Sequence, residues 1–172
     1  YSLLLVLAKA TLGVFCALDT MLFFLFWELT LVPIYFLVSL WGTGAHRRHA
    51  ATKYTLVMLA GGAAVLFGFL VAAFDAGMSF DLPALLARTP SREAQFAAFF
   101  LLLVGFGVKV PLFPLHTWLP LVATEGPAGI TALLVGMKLG VYGLLRFALP
   151  LAPEIAGEFH WLLAGLGTVG ML

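Results

Sequence analysis

Six long apolar stretches, separated by short clusters of polar and helix-breaking residues, make up almost the whole chain. They run approximately over Ser2–Leu18, Met21–Trp41, Ala50–Phe74, Ala94–Pro120, Gly129–Leu149 and Phe159–Leu172. Each is close to the roughly 20 residues that a helix needs to cross the hydrocarbon core of a bilayer. Between them, breakers and charges gather in LDT, GTGAHRRH, DAGMSFDLPALLARTPSRE, VATEGP and PLAPEIAGE. The pattern predicts an all-α, polytopic transmembrane helix bundle of about six helices, with FDLPALLA as a short amphipathic helix at the interface. No repeat, low-complexity tract or linker divides the chain, so residues 1–172 read as a single membrane domain. The chain begins at Tyr1 without a methionine and stops inside an apolar run, which reads as a fragment of a longer protein.

Composition agrees with this solvent. The chain is 63% hydrophobic and 10% charged, with a mean hydropathy of +1.10; a soluble domain is typically about 45–50% apolar and about 25% charged. A net charge of +1 gives no electrostatic case for nucleic acid. The single Cys16 builds neither a disulfide framework nor an iron–sulfur site. No two histidines or acids share the spacing of a metal-ligand cluster, so neither a redox centre nor a metal is expected in this chain.

Orientation follows from the basic residues. The GTGAHRRH loop holds Arg47 and Arg48 without an acid, and Lys53 stands just inside the next segment, which predicts a cytoplasmic loop in a plasma membrane. Alternation then puts the Asp19 turn, the Asp75–Glu93 loop and the Pro150–Glu158 loop on the other side.

The ionisable residues inside the apolar segments carry the chemistry. Glu28, Lys109 and Lys138 each fall within about three residues of a segment midpoint, or about 5 Å at a 1.5 Å rise. A charge at that depth costs at least about 2.5–3.5 kcal/mol, so such groups face a bundle interior or a hydrated path and pair with one another. One reading is a buried ion pair that locks helices together. The other is a proton path, because burial favours a neutral lysine whereas a nearby carboxylate favours the ammonium. Two lysines against one acid suit the path better.

Pro111, Pro114 and Pro120 follow Lys109 and remove backbone donors, so the fourth segment should kink or unwind just after it. Freed carbonyls at that depth are tolerated only where protein or a water-filled cavity satisfies them, and discontinuous helices mark ion sites in transporters. A kink made for packing is the plainer alternative. His116 lies beyond the break, seven residues on, and has the chemistry of a proton relay or of a ring satisfied by a freed carbonyl. Lys53 reads either as a topology anchor or as part of the path's entrance. Phe23, Phe24, Phe26 and Trp27 read as packing or lipid-facing residues, and Lys9 has no evident partner.

The phrases FLFWELTLVPIYFLVSLWG, RRHAATKYTLVMLAG, VGFGVKVPLFPLHTWLP and KLGVYGLLRFALPLAPE carry a resemblance to the antiporter-like membrane subunits of respiratory complex I, the NADH–quinone oxidoreductase, and most closely to its M-type (chain 4) members. The match is colinear over nearly the whole chain. The resemblance implies a piece of a proton-conducting subunit of about fourteen helices, in which Glu28 modulates Lys109 and His116 connects towards Lys138. It also implies that NADH, FMN, iron–sulfur clusters and quinone are bound by partner subunits and none by this chain, with L- and N-type antiporter-like subunits as membrane neighbours. The alternatives are a subunit of a multisubunit sodium–proton antiporter and a structural, non-pumping subunit. Where the family usually carries an aspartate and a histidine after TWLP, this chain has Leu121 and Ala123, leaving Glu125 as the polar group of that loop.

Overall fold

The computed structural model describes residues 1–88, 90–136 and 138–170. Met171 and Leu172, the end of the predicted sixth segment, lie outside the described residues, as do Thr89 and Met137. Among the described residues the structure is helical, with turns and one isolated antiparallel bridge between Asp19 and Asp81. The elements are α1 (Ser2–Cys16), α2 (Thr20–Leu29), α3 (Leu31–Trp41), α4 (Arg47–Asp75), α5 (Leu82–Leu86), α6 (Arg92–Lys109), α7 (Leu119–Glu125), α8 (Ala128–Gly136), α9 (Leu139–Gly143), a π-helical turn (Leu144–Ala148), α10 (Leu149–Leu151), α11 (Pro153–Glu158) and α12 (His160–Val169).

Three continuous or nearly continuous spans, Thr20–Trp41, Arg47–Asp75 and Ala128–Leu151, are long and apolar enough to cross a membrane, and Ser2–Cys16 is a shorter apolar helix. The predicted second segment is divided at Thr30. Pro33 has no N–H to offer the carbonyl one turn back, which loosens the helix there, and the Thr30 hydroxyl donates to the Trp27 carbonyl at 2.7 Å. The fourth segment ends as a helix at Lys109, as the prolines dictate. The predicted interfacial helix is the five-residue α5, capped by Asp81, whose carboxylate accepts from the Ala84 N–H at 3.1 Å.

The loops sort into two ends. At one end, Thr20 N–H donates to Phe80 O at 2.8 Å and Leu82 N–H to Leu18 O at 2.8 Å, and Arg92 pairs with Glu158 at 2.9 Å. At the other, Gly44 N–H donates to Glu125 O at 3.2 Å and His46 N–H to the Glu125 carboxylate at 2.7 Å. The Asp19, Asp81 and Glu158 turns thus share one face, and the turns before α4 and after α7 share the opposite one, as alternate crossings require.

The interior is aromatic where most helices meet. Phe23, Phe69, Phe106 and Phe147 are fully buried or nearly so; Phe23 and Phe147 rings lie 4.4 Å apart and Trp27 and Phe106 rings 5.2 Å apart. Small residues let α4 and α6 approach closely, as helices in lipid commonly do. A Cβ on Gly105 would stand 2.7 Å from the Gly61 carbonyl oxygen and 2.9 Å from the Val65 nitrogen, and both are backbone atoms that cannot swing aside. Gly105→Ala is therefore expected to force α4 and α6 apart and cost about 1–3 kcal/mol. Thermal unfolding in detergent checks this, and an unchanged midpoint would contradict the close approach.

Candidate functional site: a lysine at a broken helix

The break after Lys109 leaves carbonyls to be satisfied, and the chain supplies partners for them. Pro111 offers no N–H to the Gly107 carbonyl, which instead accepts from Leu112 N–H at 2.9 Å. The Val108 carbonyl accepts from the Trp118 indole N–H at 2.8 Å. Trp118 is buried, and its ring packs edge-on against Tyr54 of α4 at 5.2 Å. The unwound segment from residue 111 to 118 is thereby anchored to α6 and α4 before α7 begins.

Lys109 ends α6 with its ammonium inside the protein. Nζ donates to the Thr30 hydroxyl at 3.0 Å and lies 3.9 Å from the centre of the Trp27 ring. Thr30 is fully buried and uses its own proton on the Trp27 carbonyl, so its oxygen is left to accept from the lysine. The loosened turn at Thr30 and the helix end at Lys109 therefore face each other, and the aromatic ring adds a cation–π attraction that strengthens where water is excluded.

Glu28 stands one residue beyond Trp27, half-buried, with Oε1 covered and without a hydrogen-bond partner among the described residues. It borders an open groove with Leu25, Tyr35 and Thr55. Gly62 makes room for the carboxylate, since any Cβ there would collide with Oε1. Among the described residues the only ion pair within 4 Å is Arg92–Glu158, so Glu28 and Lys109 are not in direct contact. Beyond 4 Å the attraction falls below about 4 kcal/mol at an effective dielectric of 20.

A cavity of about 130 Å³ adjoins Lys109, and Thr30, Tyr54, Pro111, Trp118 and Lys138 contribute to its wall. Lys138 reaches this wall from a second interruption, which the sequence did not announce. It sits between α8 and α9 with φ 46°, in the left-handed region that costs a lysine conformational energy, and it is exposed where a mid-segment position was expected to be buried. His116 lies in the turn before α7, half-buried and stacked on Phe113 at 5.6 Å. Its Nδ1 is covered and unpartnered among the described residues, and the ring does not border the cavity.

The remaining expected residues fall into place separately. Lys53 is half-buried on α4, away from the cavity wall. Glu125 closes α7 and holds the His46 N–H at the start of α4, where a carboxylate also suits the helix dipole. Pro111 borders the cavity and Pro114 is exposed. Lys9 is exposed on α1. Sequence reasoning missed Thr30 and Tyr54, and it read Trp27 only as a packing or lipid-facing residue. The legible signal was the Pro33 that loosens the helix at Thr30. Among the described residues no group of three or more His, Cys, Asp and Glu side chains converges as metal ligands would.

Comparison with known proteins gives this arrangement a setting. The sequence profile of the NADH:quinone oxidoreductase/Mrp antiporter transmembrane family matches residues 17–172. The chain belongs to this family. It is 43% identical to NAD(P)H-quinone oxidoreductase chain 4 2 of Thermosynechococcus vestitus, with all of this chain and 33% of that protein covered. It is 42% identical to a chain 4 protein of a Trichormus variabilis strain, which it covers to 32%. Among solved structures, a chain of respiratory complex I from Thermus thermophilus with bound NADH superposes with a TM-score of 0.90 at 36% identity, over 97% of this chain and 36% of that one. A chain of the archaeal membrane-bound sulfane sulfur reductase shares the fold, with a TM-score of 0.83 at 22% identity. The chain thus spans about a third of the length of the curated relatives it matches.

The Thr30–Lys109 bond makes one stability prediction. Thr30→Val keeps the shape and leaves the ammonium without its acceptor, at a cost of about 1–3 kcal/mol, whereas Thr30→Ser retains it. Thermal unfolding of the two variants should separate them, with only the valine variant clearly destabilised.

Proposed function

We propose that this chain is part of a proton-translocating membrane subunit of an NADH–quinone oxidoreductase, of the M (chain 4) type, and that Lys109 is its mid-membrane proton carrier. The observation that carries the reading is the cavity at the helix break, which borders both Lys109 and Lys138. Two lysine side chains on one cavity suit transfer better than a static ion pair. Family membership and the chain 4 relatives support the assignment to the oxidoreductase.

The mechanism is electrostatic. With Glu28 ionised, the ammonium form of Lys109 is favoured, and Thr30 and Trp27 hold it at the break. Movement of Glu28 away from Lys109, or towards another cation, weakens that attraction and favours release of the proton to the Lys138 side. His116, which lies off the cavity wall, would join such a path only through the turn that carries it. Electron transfer from NADH through FMN and iron–sulfur clusters to quinone takes place in partner subunits, and this chain performs no redox step. L- and N-type antiporter-like subunits are its expected membrane neighbours. The Arg47/Arg48 loop faces the cytoplasm of a bacterium, and Glu125 fixes that loop to the end of α7 at the path's entrance.

NADH-driven proton uptake into inverted membrane vesicles that contain the assembled complex tests this, with assembly verified on a native gel. Lys109→Ala is expected to abolish most proton uptake and to slow quinone reduction with it. Full uptake in an assembled Lys109→Ala complex would remove the carrier role, and uptake that persists without NADH but requires sodium would favour the sodium–proton antiporter reading.

A further inference from the structure

Positive charge gathers at the surface where α4 begins. His46, Arg47, Arg48 and His49 follow one another there, and with Gly44 and Ala45 they line an open pocket of about 520 Å³. Arg47 donates one N–H to the Gly42 carbonyl at 2.9 Å, which holds its guanidinium beside the loop. The Arg48 and His49 side chains are exposed, without a hydrogen-bond or ion-pair partner among the described residues. Glu125, the acid of the neighbouring turn, uses its carboxylate on the His46 N–H and does not line the pocket. Among the described residues, then, no acid in the pocket wall answers the two guanidinium groups.

Below the pocket the same helix face is open and apolar. Thr52, Leu56, Leu59, Ala63 and Phe67 lie within about 100° of Arg48 around the α4 axis, at 3.6 residues per turn, and all five are exposed. The Thr52 hydroxyl donates back to the Arg48 carbonyl at 2.9 Å, so it makes no demand on its surroundings. From Thr52 to Phe67 the stripe runs roughly 23 Å at a 1.5 Å rise, longer than the roughly 15 Å of hydrocarbon in one leaflet. Half-buried Lys53 lies at its upper edge, where a lysine reaches up to the headgroups. Exposed Trp41, just before the loop, suits the same headgroup level.

We infer that this surface binds an anionic phospholipid, with its phosphate in the basic pocket at Arg47 and Arg48 and an acyl chain along the α4 stripe. Charge decides the occupant. A protein helix also fits an apolar stripe, but it would have to bring acids to the head of it. A phospholipid carries phosphate and chain in one molecule, each at the depth where this surface is basic or apolar. Guanidinium groups bind phosphate through parallel N–H bonds, and basic clusters at a membrane surface select anionic headgroups. The bound headgroup braces the turn that Glu125 ties to α7. The inference uses this chain's surface alone and does not depend on Lys109 carrying protons.

Cryo-EM of the assembled complex tests it, after exchange of native lipid into nanodiscs of phosphatidylglycerol with phosphatidylethanolamine, or of phosphatidylcholine alone. With phosphatidylglycerol, an ordered lipid is expected along Thr52–Phe67, its phosphate within hydrogen-bond distance of the Arg48 guanidinium; with phosphatidylcholine alone the density should be weak or missing. A phosphatidylglycerol with a photoreactive diazirine in its acyl chain should label the α4 peptide that carries the stripe. That labelling should fall several-fold when Arg48→Gln and His49→Gln are combined, and should persist in Arg92→Gln, which removes a charge from the opposite face. A protein helix seated on the stripe, bare density in phosphatidylglycerol nanodiscs, or equal occupancy in phosphatidylcholine would overturn the inference. So would full labelling in the Arg48→Gln, His49→Gln variant.

Discussion

An ammonium group held inside a lipid-spanning bundle is the constraint around which the rest is arranged. Lys109 is kept at the end of α6 by the Thr30 hydroxyl and the face of Trp27, without direct contact with an acid. That arrangement needs two loosened helices. Pro33 frees the turn at Thr30, and Pro111 ends α6 at the lysine. Carbonyls beside both breaks find partners: Thr30, Leu112 and Trp118 answer the Trp27, Gly107 and Val108 carbonyls respectively. The cost of irregular backbone at membrane depth is met locally at these carbonyls, and a cavity remains beside the lysine.

Packing makes this geometry rigid. The close approach of α4 to α6 through Gly61 and Gly105 brings Tyr54 and Gly62 of one helix to the level of Lys109 on the other and Glu28 on α2. The aromatic cluster of Phe23, Phe69, Phe106 and Phe147 fills the half of the bundle towards the Asp19 face, and Trp118 with Tyr54 fills part of the half towards the Arg47 face. The cavity beside Lys109 therefore sits between these two apolar clusters.

Much of this was legible in the sequence, because bilayer crossing imposes a length and a polarity that one residue cannot disguise. The apolar stretches gave the helices, the prolines after Lys109 gave the break, and Asp81 before Leu-Pro-Ala gave the cap of α5. Three features were not legible. The interruption at Lys138 lies in LLVGMKLG, whose glycines also suit close packing and so do not signal a left-handed residue. The Thr30 contact spans 79 positions. Tyr54 stands in an ordinary helical face, and only the packed helices set its ring against Trp118. Short-range patterns report backbone; long-range partners of a mid-membrane charge require the packed helices.

Water access to Lys109 from the face that carries Arg47 and Arg48 is the central claim. It is tested most directly by placing a cysteine at position 109, with Cys16 changed to serine, in the assembled complex in vesicles of known orientation. The account predicts that a charged, membrane-impermeant maleimide labels Cys at position 109 from the Arg47/Arg48 face and does not reach it from the Asp19/Asp81 face. Labelling only from the Asp19/Asp81 face, or from neither face, would contradict it.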